Sequence, residues 1–360
     1  MTESNPVRAG FVYRNEAILK AVANFDGLKY EPDAKGMFSA RKAVSRYYKN
    51  HGQETHPDSI ILTASTSEAY SFVFKLLAEP GDEVLMPRPS YPLLEPLLRL
   101  ESLRIIQYPL NYHPETGWRI NADQLSKTIS TRTRAIVAVN PNNPTGSFIN
   151  NTELALLNQL CRRHNLALIV DEVFLDYQTA EYGNNMTAAA NTKALTFVLS
   201  GFSKVLGLPQ LKLAWIVVSG PSRKRREACD GLEYIADAYL SVGTPVQKGA
   251  RDFFRGRQAI QKQIQERIQS NSEFCQKRLT GIAEAEVLKR EGGWYAVLKL
   301  SSGLNDERTA IKLLQGRHVL VYPGYFFDFA DDNVLVVSLI TPPEKFQRGV
   351  SGIISELIGR

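Results

Sequence analysis

The sequence predicts an α/β protein: a large domain with a mostly parallel seven-stranded sheet, followed by a smaller α+β C-terminal domain. From about residue 59 to residue 220, short runs rich in Val, Ile and Leu alternate with segments of helical period. This alternation is typical of a parallel sheet with helices on both faces. With 360 residues, the chain is longer than one hydrophobic core usually supports.

The elements follow from apolar periodicity and from flanking turn residues. The predicted strands of the large sheet are Ile60–Thr63, Glu83–Met86, Arg104–Tyr108, Ala135–Val139, Ala167–Val170, Leu195–Leu199 and Leu213–Val218. Helical patterns between them cover Ser67–Leu77, Tyr91–Leu100 and Asn151–His164. Farther along, we predict a long polar helix, two strands and a closing helix at Arg257–Ile282, Trp294–Leu300, Val334–Ile340 and Pro343–Leu357. We therefore expect an N-terminal arm (1–30) that packs on the small domain, a large domain (31–240) and a small domain (241–360).

Composition and charge limit the class of protein. The net charge is +6, and the densest basic run is Arg223–Arg226. This run is typical either of a nucleic-acid patch or of the exposed first turns of a helix. Glu227 and Asp230 follow it and favour the helix, so we expect no nucleic-acid partner. A basic surface could equally attract anionic substrates or a phosphorylated cofactor.

The remaining composition predicts a cytoplasmic protein. The three cysteines are odd in number and far apart, which favours a reducing compartment. No apolar run approaches the roughly 18–20 residues that span a bilayer, and the N-terminus does not resemble a signal peptide. The five histidines have no metal-binding spacing, so we expect neither a metal nor a membrane partner.

Chemically useful residues follow the predicted strands. Lys204 comes after an apolar strand, and it is either a solvated loop lysine or an amine tuned for covalent chemistry. Asp171 directly follows another buried strand, where a carboxylate needs a partner or serves as a helix cap. Ser65–Ser67 opens a helix and is either an ordinary N-cap or an anion site. The turn at 140–146 has two Asn-Pro steps that can aim an amide into a cleft. The carboxyl ends of neighbouring parallel strands are where chemistry occurs in such sheets.

From about Tyr30 to Ile340, the chain resembles the class I/II aminotransferases, which are fold-type I enzymes that use pyridoxal 5′-phosphate (PLP). The most specific segments are 140–146 (NPNNPTG) and Ser203-Lys204. The resemblance implies that Lys204 forms the internal aldimine with PLP and later shuttles a proton. A lysine near other cations in a partly dry site has a lowered pKa, which agrees with this role.

The resemblance also implies the other contacts to the cofactor. Asp171 would pair with the pyridinium nitrogen, and Asn143 would hydrogen-bond the ring hydroxyl oxygen. Tyr91 would stack on the ring face, although it could instead pack under a loop. Ser65, Thr66 and Ser67 would bind the phosphate, with backbone N–H groups of Thr66 and Ser67. Tyr30 would reach the phosphate of the neighbouring subunit, which implies a homodimer with shared active sites.

Four positions depart from the family pattern. Phe174 stands where a tyrosine often donates to the ring oxygen, so Asn143 holds that oxygen alone or with an unseen partner. Gly201 replaces a Ser or Thr that contacts phosphate, and Ser200 or Ser203 could compensate. Lys212 replaces an arginine, and lysine binds phosphate as a point charge, not as a bidentate fork. Val336 replaces the arginine that grips the substrate α-carboxylate.

The departure at Val336 leaves the substrate open. A carboxylate buried against valine is costly, so either another cation binds it or the amino substrate lacks a carboxylate there. Arg14, Arg88 and Lys345 are the candidate cations. The aromatic residues of 325–329 form either a wall of the site or ordinary core.

We therefore predict an aminotransferase that moves an amino group from an amino acid or amine to a 2-oxo acid. The alternative within the same fold is a PLP-dependent decarboxylase or β-eliminating lyase. A third hypothesis, a regulator built on a degenerate aminotransferase domain, is disfavoured because Lys204, Asp171 and Asn143 are all present.

Overall fold

The computed structural model describes residues 1–23, 25–179 and 187–359. Within these residues, the large sheet contains eight strands: β1 (Ile60–Thr63), β2 (Glu83–Arg88), β3 (Arg104–His113), β4 (Gly117–Ile120), β5 (Thr133–Val139), β6 (Ala167–Asp171), β7 (Thr196–Gly201) and β8 (Ala214–Ser219). Their order across the sheet is β1-β8-β7-β6-β5-β2-β3-β4. The seven predicted strands are confirmed, and the added strand is β4, which pairs with the end of β3 at the sheet edge.

Strand direction agrees with the predicted α/β class. β3, β2, β5, β6 and β7 form parallel pairs with one another. β8 is antiparallel to both of its neighbours, β7 and β1, so β1 runs in the same direction as β7. The sheet is therefore mostly parallel.

Helices cover both faces of this sheet. The helices of the described residues are α1 (Asn15–Val22), α2 (Phe38–Asn50), α3 (Thr66–Leu77), α4 (Leu94–Leu100), α5 (Ala122–Thr128), α6 (Asn151–His164), α7 (Phe202–Val205), α8 (Ser222–Asp237), α9 (Thr244–Leu279), α10 (Asp306–Arg317) and α11 (Pro343–Ile358). One apolar cluster joins α3, α4 and α8 to one face, and a second joins α2 and α6 to the other. Alternate residues of each strand enter the two clusters, as expected for a sheet buried on both sides.

A second, antiparallel sheet forms after the long helix α9. Its strands are β9 (Ala285–Val287), β10 (Tyr295–Leu300), β11 (Tyr322–Pro323) and β12 (Val334–Ser338), in the order β11-β12-β10-β9. The prediction that the long helix begins at Arg257 was wrong, because α9 begins at Thr244, with Pro245 in its first turn. Proline is tolerated there, since the N–H that it lacks has no partner within the helix.

The first residues of the chain lie on this smaller sheet. The Ser338 N–H donates to the Met1 carbonyl over 2.9 Å, and the Tyr322 hydroxyl donates to the Thr2 carbonyl over 3.2 Å. The exact division into arm, large domain and small domain stays a prediction.

The basic run is helical, as predicted. Arg223–Arg226 lies in the first turns of α8, and the Arg223 guanidinium pairs with Glu227 over 2.8 Å on an exposed face. All three cysteines are free and buried. None of the helices in the described ranges combines the length and the apolarity that crossing a bilayer requires.

Candidate active site

The carboxyl ends of several strands meet at one edge of the large sheet. β1, β2, β5, β6 and β7 all end there, and the antiparallel strand β8 begins there. The segments at this edge carry all of the predicted site residues except Tyr30: Ser65, Thr66, Ser67, Tyr91, Asn143, Asp171, Ser203, Lys204 and Lys212. The topology therefore brings together residues that are far apart in the sequence.

Lys204 lies in the one-turn helix α7, directly after β7. Its Nζ is 4.7 Å from the ring centroid of Trp294 and 5.4 Å from that of Phe174. The Tyr177 hydroxyl donates to the Lys204 carbonyl over 2.7 Å and fixes the backbone. Burial lowers the pKa of Lys204 to about 8, although the charge of Asp171 acts in the opposite direction. Roughly a tenth of the amine is therefore neutral, and thus nucleophilic, at pH 7.

Asp171 is the last residue of β6 and is buried. Its carboxylate accepts a hydrogen bond from the Val173 N–H and another from the Tyr70 hydroxyl, each over 3.1 Å. Burial raises the pKa of Asp171 to about 6, while these two hydrogen bonds and the charge of Lys204 lower it. The carboxylate is thus mostly ionised at pH 7, and it is the negative partner available to a cationic ligand atom at this edge.

The neighbouring acid, Glu172, belongs to a different network. It is fully buried and accepts hydrogen bonds from the Thr187 hydroxyl and from the Ala188 N–H over 2.7 Å. Burial raises the pKa of Glu172 to about 7. Glu172 therefore ties the chain at 187–188 to the end of β6, and Asp171 is the acid of the site.

Tyr91 and Asn143 follow β2 and β5 at the same edge of the sheet as Asp171 and Lys204. Burial raises the pKa of Tyr91 to about 12, and the charge of Asp171 acts in the same direction. Asn143 is buried, and its Oδ1 has no hydrogen-bond partner among the described residues. A buried amide left incompletely paired costs roughly 1–3 kcal/mol. Such an unpaired atom is expected where a ligand or water supplies the missing hydrogen bond.

The start of α3 leaves backbone N–H donors without acceptors inside the helix. Ser65 is the N-cap, and its hydroxyl accepts from the Glu68 N–H over 3.2 Å. The Glu68 carboxylate in turn accepts from the Ala64 N–H over 2.6 Å. Thr66 and Ser67 are the first two helical residues, so their N–H groups have no carbonyl acceptor within the helix. These donors and the helix dipole together favour a phosphate.

Lys212 and Ser203 lie at the same edge of the sheet, before β8 and after β7 respectively. Lys212 is exposed, and its backbone is in the left-handed region with a φ of 50°. It forms no ion pair with any residue that the structure describes. Ser203 is half-buried one residue before Lys204. Ser200, by contrast, is buried and makes a 3.4 Å contact with the Glu172 carbonyl, so Ser203 is the better placed of the two serines.

Gly201 is glycine for a steric reason. A Cβ at this position would lie 2.8 Å from the Ala214 Cβ and 3.1 Å from its Cα on the paired strand β8. The Ser or Thr of the family pattern does not fit while β7 and β8 pair as they do.

The structure also locates the other departures from the family pattern, Phe174 and Val336. Phe174 is buried and packs against Trp294, with ring centroids 5.2 Å apart. Val336 is fully buried, and its strand, Val334–Ser338, carries no charged side chain. Of the candidate cations, Arg88 donates to the Asp328 carbonyl over 2.7 Å. Arg14 is exposed just before α1, and Lys345 is exposed in the first turn of α11.

Two residues at the site were missed in the sequence. Tyr70 lies one helical turn after Thr66 on the same face of α3, and this spacing was the available signal. Trp294 reaches Lys204 from the smaller sheet, and no sequence pattern connects the two.

The comparisons with known proteins agree with this geometry. The sequence profile of the family described as "Aminotransferase class I and II" matches residues 8–353. The glutamate-pyruvate aminotransferase AlaA of Escherichia coli strain K12 is 27% identical, over 97% of this chain and 89% of that protein. An alanine aminotransferase of Mycobacterium tuberculosis is 28% identical, over 85% of this chain and 73% of that protein. The solved structure of an alanine aminotransferase from Pyrococcus furiosus superimposes with a TM-score of 0.90 at 26% identity, covering 99% of this chain and 91% of that one.

Proposed function

Because the chain belongs to the class I and II aminotransferases, it is a PLP-dependent enzyme that transfers amino groups, and we propose that Lys204 is its central catalytic residue. The observation that supports this role is the environment of the amine. Lys204 Nζ is desolvated between two aromatic rings, its pKa is lowered to about 8, and Asp171 is close enough to influence it. An amine in this state can attack a carbonyl carbon at neutral pH.

The residues of the sheet edge fit the parts of the cofactor. The Thr66 and Ser67 N–H groups, with Ser203 and Lys212, would hold the phosphate. Asp171 would hold the ring nitrogen in its protonated form.

On the ring itself, Tyr91 would cover one face and Asn143 would bind the hydroxyl oxygen. PLP, when bound, supplies a carbonyl carbon that takes up an amino group and a ring that accepts an electron pair. Asn143 is buried at this edge, and its Nδ2–H would be the donor to that oxygen, since the amide oxygen only accepts.

Lys204 would act as the base and acid of the reaction. Its neutral amine would take a proton from the carbon that carries the substrate amino group and return a proton to the acceptor. The two rings beside Nζ shield the amine from water on their side, and the hydrogen bond from Tyr177 keeps the backbone of Lys204 in place.

We propose that the amino donor is an amino acid or an amine and that the acceptor is a 2-oxo acid. The names of the relatives, glutamate-pyruvate and alanine aminotransferase, support small substrates of this kind. Family membership favours amino-group transfer over the decarboxylase and lyase alternatives.

We also propose that the enzyme is a cytoplasmic homodimer. The Tyr30 side chain is 78% exposed and lines the same surface groove as Leu240, an apolar surface that a partner subunit would cover. Leu28 and Leu240 are exposed as well. The three unpaired cysteines support the cytoplasmic location.

The test of Lys204 is covalent trapping. Purified protein is incubated with PLP, reduced with borohydride, digested and analysed by mass spectrometry. We expect the cofactor on the peptide that contains Lys204, and no such product in Lys204→Ala. Lys127→Ala, a change of an exposed lysine on α5, is the matched control and should be labelled like the wild type. Equal labelling of Lys204→Ala would overturn the assignment, and loss of alanine-to-2-oxo-acid transfer in that variant is the supporting activity measurement.

A further inference from the structure

A recess between α2 and α9, lined by none of the candidate active-site residues, concentrates positive charge. Its volume is about 240 Å³, and five of the nine residues that line it are Lys or Arg: Arg46, Lys49, Arg251, Arg255 and Arg257. None of the described residues in this lining is acidic. Since only 43 of the 360 residues of the chain are Lys or Arg, the overall composition does not account for this cationic recess.

The floor of the cationic recess is rigid. The rings of Tyr47 and Phe254 are buried and stack with their centroids 5.5 Å apart, which joins α2 to α9. The Arg257 guanidinium carbon is 5.7 Å from the Tyr47 ring centroid, and its Nη1 donates to the Phe254 carbonyl over 3.1 Å. These contacts hold the planar guanidinium in place, so it loses little freedom when it binds an anion.

The positive charge of the cationic recess is only partly neutralised. Glu54 pairs with Lys49 over 2.9 Å, and Asp252 contacts two of the arginines over 3.4 Å each. Arg46 and Arg257 have no acidic partner among the residues that the structure describes. Five positive charges therefore face two negative ones, and a bound anion would relieve the repulsion between the cations.

The shape of the cationic recess indicates which anion fits. Guanidinium groups bind phosphate oxygens through paired N–H donors. The cations surround one small concavity, whereas a nucleic-acid surface carries them along an extended stripe. The two aromatic rings of the floor are buried and offer no open face on which a base could stack. The features of the recess thus favour a short chain of phosphate groups.

We propose that the cationic recess binds a chain of phosphate groups, as in a nucleoside triphosphate or in inorganic tripolyphosphate. Such a chain brings several negative charges close together, which matches the cluster of cations. This inference goes beyond the proposed function and needs neither Lys204 nor PLP.

The test is isothermal titration calorimetry of the PLP-loaded protein with inorganic tripolyphosphate, in the absence of divalent metal ions. PLP occupies the proposed phosphate site at the start of α3, so the probe cannot bind there. We expect tripolyphosphate to bind at least about tenfold more tightly than inorganic phosphate, and more weakly as the salt concentration rises. ATP distinguishes the sources: equal affinity identifies the phosphate chain alone as the ligand, and higher affinity identifies a nucleotide.

Paired substitutions locate the binding. Arg46→Gln combined with Arg257→Gln removes the two cations that lack an acidic partner, and it should weaken tripolyphosphate binding about a hundredfold, or about tenfold for each lost charge-assisted hydrogen bond. Arg225→Gln combined with Arg226→Gln is the matched control, because it removes the same charge from the basic run of α8. The control should bind tripolyphosphate like the wild type. Arg46 is exposed, so Arg46→Gln alone, with a tenfold loss, serves if the first pair does not fold.

Three results would overturn the proposal. Equal weakening by the two pairs would mean that net charge, and not the cationic recess, attracts the probe. Adenosine that binds as tightly as ATP would assign the affinity to the nucleoside. A DNA duplex that binds where tripolyphosphate does not would make the cationic recess part of a nucleic-acid surface.

Discussion

Asp171 and Tyr70 show how single residues set the charge of the site. The Asp171 carboxylate lies at the end of a buried strand, and desolvation raises its pKa to about 6, well above the ordinary value. The Tyr70 hydroxyl, itself fully buried, donates to this carboxylate and favours its ionised form. Without that hydrogen bond, the acid would be closer to neutral at pH 7, and it would hold a cationic ring nitrogen less well.

Tyr70→Phe should therefore change the pH dependence of stability of the cofactor-free protein. A carboxyl whose folded pKa exceeds its unfolded value loses stability as pH rises from the unfolded pKa to the folded one. For Asp171, this window runs from 3.8 to about 6. Removing the Tyr70 hydroxyl should raise the folded-state pKa of Asp171, which is the upper limit of this window. The free energy of unfolding should therefore fall further between pH 6 and pH 7 than in the wild type. Urea unfolding across this range is the measurement.

Tyr108→Phe is the control for the loss of a buried hydroxyl. The Tyr108 hydroxyl donates to the Val137 carbonyl over 2.8 Å, so its acceptor does not titrate. We expect the free energy of unfolding of this variant to be lower than that of the wild type by about 1–2 kcal/mol, and by a similar amount at each pH. If Tyr70→Phe shows the same parallel loss, Tyr70 does not tune Asp171.

At the scale of elements, the pairing of β7 with β8 sets the shape of the phosphate side. Gly201 faces Ala214 across the antiparallel pair, and the backbone approaches too closely for a side chain. Lys212 lies in the turn just before β8, and its backbone has a left-handed conformation. The tight strand pair leaves no room for a hydroxyl side chain at Gly201, and the turn before β8 carries the exposed Lys212 toward the proposed phosphate site.

Gly201→Ala should destabilise the protein by about 1–3 kcal/mol, the usual effect of overpacking a core. The φ of Gly201 is −177°, an ordinary extended conformation, so the cost comes from the contact with Ala214 and not from backbone strain. Thermal or urea unfolding measures it. Gly256→Ala is the opposite case, because this exposed position in α9 has no atom within 4 Å of a new Cβ. It should stabilise the helix by about 0.5–1 kcal/mol, and equal effects of the two changes would contradict this account.

The buried strands were predictable because parallel strands covered on both faces are continuous apolar runs. β1 was predicted with its observed bounds, and α6 likewise. β4, β9 and β11 were missed because they are short and carry polar residues or proline. Residues that follow the strands could be placed in the sequence, because the carboxyl ends of neighbouring parallel strands meet at one edge of the sheet. Tyr70 and Trp294 could not be placed with them, because their contacts depend on how α3 and the smaller sheet pack against that edge.

At the scale of the whole molecule, the exposed apolar residues favour a dimer. Tyr30 and Leu240 line one groove of the surface, together with Val242. Their exposed fractions are 78% for Tyr30 and 40% for Leu240. Most soluble homo-oligomers are two-fold dimers, in which the same patch on each subunit covers the other. In the proposed dimer, this groove would place Tyr30 of each subunit at the interface with its partner.

Subunit complementation tests whether the sites are shared. Lys204→Ala removes the amine, and Tyr30→Ala should weaken phosphate binding at limiting PLP, so each variant alone should be poorly active. In a mixed dimer, one site combines Lys204 of the second variant with Tyr30 of the first and is therefore intact. Co-refolded equal mixtures should regain about a quarter of the wild-type active sites, as random two-fold pairing requires. Activity no higher than the average of the two variants, with sedimentation showing dimers, would place Tyr30 outside the partner's site.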